Sequence, residues 1–289
     1  MKTIIQKALR QLSDQSDLTN IHPVSGGSIN QTCRIDTRKR SYFAKINRPV
    51  SETFFLKEIN GLKAIKQTNT LPVPEVYGTF YEEETKTALL LLEWIEGTET
   101  GTTIQQLGRG LAQLHQVQGQ AFGFDEDNLI GTLPQPNPWT PDWLTFYRDQ
   151  RLKVQYELGI KQHTLAGKRR EKLEKLMDQL SRWLPEQVQP SLIHGDLWGG
   201  NWMTGPQGTP YLIDPAVHFA HHELEIAFTE LFGGFPASFY DYYQEIKPLD
   251  PSYPERKPLY QLYYLLVHLN VFGESYGSSV DRILNRYLG

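Results

Sequence analysis

His194-Gly195-Asp196-Leu197-Trp198-Gly199-Gly200-Asn201, followed by Ile213-Asp214-Pro215, is the stretch on which the fold of this 289-residue chain turns. Its residue types suit phosphoryl transfer, a reaction that asks a protein for positioning and charge neutralisation rather than covalent chemistry. A carboxylate must meet the acceptor hydroxyl, and oxygen ligands must hold Mg2+ against the phosphates of ATP. Asp196 fits the first role. Asn201 and Asp214 fit the second, because amide and carboxylate oxygens suit a hard cation. An isolated His-Gly-Asp would read as a turn, since Gly and Asp favour turns for local backbone reasons. The two ligand candidates that follow in order argue for the whole set.

The spacing from Asp196 to Asn201 matches the protein-kinase catalytic loop, and Asp214 falls where that fold carries its metal-binding Asp. Gly195 stands in place of an Arg, as in kinases that act on small molecules. Such a fold also needs a strand lysine for the α- and β-phosphates and a helix glutamate to orient it. Lys45 lies in Tyr42-Phe43-Ala44-Lys45-Ile46, which reads as a strand. Glu58 lies on the helix marked by Phe55, Ile59, Leu62 and Ile65. An ion pair between them is expected. Gly26-Gly27-Ser28 takes the place of the phosphate-covering hairpin, where glycines let backbone amides approach phosphate and Ser28 adds a hydroxyl donor. An ordinary hairpin turn would need the same glycines. The run from Leu89 to Gly97 reads as a buried strand entering a hinge, where Glu93, Trp94 and Ile95 would meet adenine.

The chain changes character after Gly97. Before it, a first helix carrying Ile4, Ile5, Ala8, Leu9 and Leu12 on one face precedes strands at 29–35, 42–46, 76–81 and 88–94. After it come helices at 104–115, 142–158 and 167–183, a β-rich island at 192–214, and a helical remainder. The Pro-rich stretch 133–141 reads as an ordered loop anchored by Trp139 and Trp143. The expected architecture is α+β, a bilobal protein-kinase-like fold. Residues 1–95 would form a nucleotide-binding lobe around a small antiparallel sheet with one key helix. Residues 96–289 would form a larger, mostly helical catalytic and substrate lobe, with a cleft between the two.

Composition narrows the function classes. With 21% charged residues and a net charge of −4, nothing points to nucleic acid or an acidic membrane surface as partner. No segment has the apolar length of a membrane span, and the polar residues Lys2, Gln6, Lys7 and Arg10 break up any signal-peptide core. The single cysteine, Cys33, excludes an intrachain disulfide and makes a reducing cytoplasm the expected compartment. Nothing in the chain sets an oligomeric state.

These residues resemble the fructosamine/ketosamine-3-kinase family, and the resemblance spans nearly the whole chain. It rests on the catalytic segment with its Leu197-Trp198 extension, on Asp214-Pro215-Ala216, and on Glu230-Leu231-Phe232-Gly233-Gly234-Phe235. Leu259-Tyr260-Gln261-Leu262-Tyr263, Asn128-Leu129-Ile130-Gly131 and Asn137-Pro138-Trp139 add to it. The resemblance implies transfer of the ATP γ-phosphate to the sugar O3 of a small-molecule or protein-bound ketosamine, a fructosamine or ribulosamine. The product would be unstable and release the amine, a deglycation or protein-repair role. It implies Asp196 as base, Asn201 and Asp214 as Mg2+ ligands, and Lys45 with Glu58 as the phosphate-positioning pair. The segment His218-Phe219-Ala220-His221-His222-Glu223-Leu224-Glu225 departs from the family, with His222 for the usual Arg and Glu225 for the usual Asp.

Several residues keep two readings. Trp198 either stacks on the sugar or packs beside the loop. His194 supports the loop by hydrogen bonding. His221-His222 read as a surface pair whose rings point apart rather than as a metal site. Cys33 reads as a half-buried strand residue. Another small-alcohol kinase, acting on an aminoglycoside, choline or a free sugar, is the alternative enzyme. A nucleotide-binding pseudokinase is the alternative from a different class, against which the intact chemical set argues.

Overall fold

Ile4, Ile5, Ala8 and Leu9 do fall on one buried helical face, and that face explains the first layer of the structure. The computed structural model describes residues 2–12, 14–24 and 30–289. The expected phosphate hairpin, Gly26, Gly27 and Ser28, lies outside the described residues. In chain order the first elements are α1 (Lys2–Gln11), β1 (Leu18–Pro23), β2 (Gln31–Thr37), β3 (Ser41–Asn47), α2 (Leu56–Thr68), β4 (Val76–Glu82), β5 (Thr87–Glu93) and α3 (Thr103–Leu114). Next come β6 (Asn128–Ile130), β7 (Leu133–Gln135), α4 (Trp143–Phe146), α5 (Lys153–Lys161), α6 (Gly167–Met177), β8 (Ser191–Ile193), β9 (Trp202–Thr204) and β10 (Pro210–Leu212). The chain ends with β11 (His218–Ala220), α7 (His222–Thr229), α8 (Ala237–Gln244), α9 (Tyr253–Phe272) and α10 (Gly277–Leu288).

The chain forms two compact units, residues 1–106 with 202–214, and residues 107–201 with 215–289. The boundary therefore does not fall at 95, and a β-hairpin from the later sequence belongs with the N-terminal unit. Hydrogen bonds within the first unit contribute to this. Thr103 Oγ1 donates to Gly208 O at 2.6 Å, and Leu212 N donates to Pro72 O at 3.0 Å. They tie the segment after β5 and the β9–β10 hairpin to the same body.

The first unit is built on a five-stranded antiparallel sheet in the order β1-β2-β3-β5-β4. Side chains alternate across a strand, so Tyr42, Ala44 and Ile46 of β3 share one face. They join Cys33, Ile35, Leu89 and Leu91 under the apolar stripe of α1. Lys45, between Ala44 and Ile46, must therefore project to the opposite face. The strand β1 is an edge strand whose mostly exposed residues lack the apolar alternation of an inner strand. Cys33 is 2% exposed rather than half-buried, because it sits in β2 beneath α1, and burial pushes its thiol pKa up.

The second unit is mainly helical. The helix expected over 142–158 runs through α4, a π-helical turn (Tyr147–Leu152) and α5, with the Asp142 side chain accepting from Thr145 N at its start. The helix expected at 167–183 ends at Met177, with a separate 3-10 turn over Leu180–Arg182. The Pro-rich stretch holds β7, paired with β6, and Trp143 is fully buried while Trp139 is exposed. β8 pairs with β11 and delivers the chain to His194. Among the described residues no helix is long and apolar enough to cross a membrane.

β5 is buried from Ala88 to Leu92, as expected of a strand covered on both faces. Leu91→Ala should therefore lower the free energy of unfolding by about 2–5 kcal/mol, read by chemical denaturation. A loss below about 1 kcal/mol would contradict close packing between β5 and α1.

Candidate active site

In the first unit, strand β3 presents Lys45 away from α1, and α2 places Glu58 against it. Lys45 is 3% exposed, and its Nζ lies 2.8 Å from Glu58 Oε1. It also pairs with the Asp214 carboxylate. Burial alone would strip the proton from this ammonium, but the two carboxylates outweigh it and raise the lysine pKa. Asp214 lies just beyond the end of β10, with a positive φ of 55°. Asp tolerates that left-handed conformation better than most residues, yet it remains a strained backbone of the kind found at functional sites. Thus Lys45, Glu58 and Asp214, far apart in sequence, form one charged triad.

The hinge residues have a different setting. Ile95 is buried, and the Trp94 indole donates to Glu96 Oε2 at 2.9 Å while the Arg34 guanidinium lies over its ring. Glu93 N donates to Glu75 O at 2.8 Å, so that donor is committed within the sheet and cannot serve an adenine. The sequence gives no sign of this, because it depends on where β4 begins.

In the second unit the loop after β8 carries Asp196, half-buried, and Asn201. Asn201 Nδ2 donates to Asp196 O at 2.7 Å and to Asp196 Oδ2 at 3.1 Å. A nitrogen is needed at both contacts, so the amide flip is fixed and the amide oxygen is the atom left with ligand chemistry. Asp196 N donates to His194 Nδ1 at 3.3 Å, in keeping with a loop-supporting His194. Gly195 has φ +86°, and a Cβ there would lie 2.1 Å from Ala216 O, so only glycine fits. The Trp198 indole lies across Gly200 and is 44% exposed.

What holds this loop is a residue whose role the sequence did not disclose. The Glu225 carboxylate, 0% exposed, accepts from His194 N at 2.9 Å and from Gly195 N at 2.6 Å. A third donor is His115 Nε2 at 2.8 Å. His115 Nδ1 then faces the Tyr243 hydroxyl at 2.8 Å, and His222 Nδ1 faces the same hydroxyl at 3.0 Å. One assignment satisfies every atom: His222 donates to Tyr243, Tyr243 to His115, and His115 to Glu225. Burial opposes charge on both partners: it lowers the His115 pKa, while the three donors bring that of Glu225 below its ordinary value. The pair is a carboxylate beside a neutral imidazole.

His221 is buried and His222 half-buried, so they are not a surface pair, and their ring centroids are 4.9 Å apart. His221 is the extended N-cap of α7 and His222 its first helical residue, so the divergence of neighbours on a helix does not apply. With Glu223 they place three ligand atoms within 4.8 Å of one another. Glu223, however, is held by Arg256 through both oxygens, at 2.5 and 2.7 Å, and His221 Nδ1 meets the Tyr260 hydroxyl at 2.7 Å. These groups are satisfied by protein.

The sheet with its lysine–glutamate pair and the helical unit with its His-Gly-Asp loop define a protein-kinase-like phosphotransferase fold. Choline kinase LicA of Streptococcus pneumoniae has that fold, with a TM-score of 0.65 at 17% identity over 99% of each chain. The family model for fructosamine kinase matches residues 1–289. A protein of Enterococcus faecium assigned as a ketoamine kinase is 42% identical over 277 residues, 96% of this chain and 98% of that one. The chloroplastic protein-ribulosamine 3-kinase of Arabidopsis thaliana is 33% identical over 94% of this chain and 84% of its own. A crystal structure assigned as a fructosamine-3-kinase from Haemophilus somnus superposes with a TM-score of 0.88 at 30% identity, covering 100% and 98% of the two chains. The chain belongs to the fructosamine kinase family.

Four neutral histidines away from solvent give the protein a pH signature. His115, His218, His221 and His222 all have pKa values lowered by burial. An unfolded chain protonates them near pH 6.5 and the folded chain does not, so their contribution is complete above that value and is lost as pH falls below it. The free energy of unfolding should thus drop between pH 7.5 and 5.5, by roughly 1 kcal/mol for each such histidine. Equal or greater stability at pH 5.5 would contradict the neutral assignment.

Proposed function

We propose that this protein transfers the γ-phosphate of ATP to the O3 hydroxyl of a ketosamine, a fructosamine or ribulosamine. The observation that carries the reading is the pairing of a family-wide match with an Asp196 held on both sides, by Asn201 and by the clamped backbone of His194 and Gly195. Asp196 accepts the proton of the O3 hydroxyl as that oxygen bonds to the γ-phosphorus and the bond to the β-phosphate oxygen breaks, releasing ADP. Asn201 keeps the Asp196 carboxylate oriented through the step. Lys45, oriented by Glu58, supplies positive charge to the α- and β-phosphates. Trp198 offers an exposed aromatic face to the sugar.

The donor set suits Mg2+, with the Asn201 amide oxygen and the Asp214 carboxylate as hard ligands. The ion supplies neutralisation of phosphate charge when bound. Loss of a C1 proton from the 3-phosphorylated ketosamine expels phosphate from C3, and water then hydrolyses the resulting C1 imine to the free amine and a 3-deoxy dicarbonyl sugar. The chain would then serve in deglycation, on free or protein-bound adducts.

Asp196→Ala should lower kcat for a ketosamine by at least about a thousandfold while leaving the thermal unfolding midpoint nearly unchanged. Phosphorus NMR of the wild-type product should place the new phosphate on O3. Near-wild-type turnover by the variant would remove Asp196 as base. Turnover of choline or an aminoglycoside, with none of any ketosamine, would move the protein to the alternative class of acceptor. Nucleotide binding without transfer to any acceptor would leave a pseudokinase.

A further inference from the structure

Four aromatic rings on the second unit play no part in the chemistry above. Phe232 lies just beyond α7, with its ring centroid 4.6 Å from that of His268. His268 is in turn 5.6 Å from Phe272 and 5.0 Å from Tyr276, and Phe272 and Tyr276 are 6.1 Å apart. Phe232 and Phe272 are 42% and 53% exposed. A contiguous set of exposed rings marks a binding surface more often than isolated ones do.

Two links join these rings to the loop that carries Asp196. Gly234, two residues after Phe232, packs backbone to backbone on Gly199, where an added Cβ would lie 2.7 Å from Gly199 Cα. The second link runs along α9. The Tyr264 hydroxyl donates to Gly195 O at 3.2 Å, and the carbonyl of the same Tyr264 faces His268 Nδ1 at 2.8 Å. A ring nitrogen meets a carbonyl only as a donor, so the neutral His268 carries its lone pair on Nε2. That atom has no partner among the described residues, and burial lowers the pKa of the imidazole, which favours the neutral form.

We propose that Phe232, His268, Phe272 and Tyr276 form a subsite for the amine arm of the ketosamine, its secondary ammonium and the first carbons of the carrier. The inference rests on the ketosamine-kinase reading and deepens it. The amine at C1 of a ketosamine is protonated at neutral pH, and a cation is attracted to the faces of aromatic rings. His268 Nε2 accepts one of its N–H groups. The alkyl carrier covers the exposed faces of Phe232 and Phe272, removing apolar surface from water. A free ketose has neither the cation nor the carrier. The shelf therefore selects amine-bearing sugars over free sugars, and a carrier extending past Phe272 leads away from the catalytic loop.

Steady-state kinetics with Nα-acetyl-fructosyl-lysine and with fructose test this. Phe232→Ala and Phe272→Ala should each raise KM for the fructosyl-lysine about tenfold, with KM for ATP within about twofold of wild type. Both substitutions are at exposed rings, so the thermal midpoint should hold, and His268→Leu should show the same KM effect. The preference of wild type for fructosyl-lysine over fructose should shrink in each variant. Unchanged KM for fructosyl-lysine in all three variants would overturn the shelf and leave the kinase reading standing. No ketosamine turnover by wild type would overturn that reading and the shelf with it. A change in sedimentation of Phe272→Ala without a change in KM would assign the surface to a second copy of the chain and overturn the proposal.

Discussion

A fully buried carboxylate, Glu225, accepts hydrogen bonds from two successive backbone amides, those of His194 and Gly195. Burying an ionised group without compensation is expensive, and the compensation here is three donors on two oxygens. Those amides belong to a loop that cannot satisfy them internally, because Gly195 adopts a positive φ and leaves the β8–β11 ladder. Removing the carboxylate leaves donors buried and unpaired, at a cost of about 1–3 kcal/mol each. The position of Asp196, one residue further on, follows from that bond.

The clamp extends outward through His115 and Tyr243 to His222, so α3, α7 and α8 converge on one loop. Each member fixes the hydrogen-bonding sense of the next, and the series ends on a carboxylate that has no proton to give. A buried network that is fully satisfied specifies a single arrangement, whereas a half-satisfied one destabilises it. In the first unit the problem is reversed. There a buried ammonium, Lys45, is stabilised by two carboxylates, Glu58 and Asp214, which leave a surplus of negative charge.

The parts visible in the sequence are those whose spacing is local or whose order is fixed. Asp196 and Asn201 are five residues apart on one loop, and the Lys45–Glu58 pair follows from a strand running into a helix. The sheet was legible for the same reason, since the run Leu89–Leu92 and the alternation in β3 have few other readings. Glu225 and His115 were not. They are 110 residues apart, and each looks locally like an ordinary helical residue. The placing of His221 and His222 depends on where α7 starts, and the π-helical turn at Tyr147–Leu152 depends on packing, neither of which a periodicity can show. The inclusion of the β9–β10 hairpin in the first unit goes with partners distant in sequence, among them the hydrogen bonds of Thr103 and Leu212 and the Lys45–Asp214 pair.

Amide hydrogen exchange at His194 and Gly195, read by NMR in wild type and in Glu225→Gln, tests the clamp most directly. An amide side chain keeps one acceptor oxygen and turns an NH2 toward the other backbone donor. Protection at one or both amides should fall by about tenfold or more, while the amides of Leu89–Leu92 in β5 keep theirs. Unchanged protection at both His194 and Gly195 would contradict the claim that this carboxylate holds the loop.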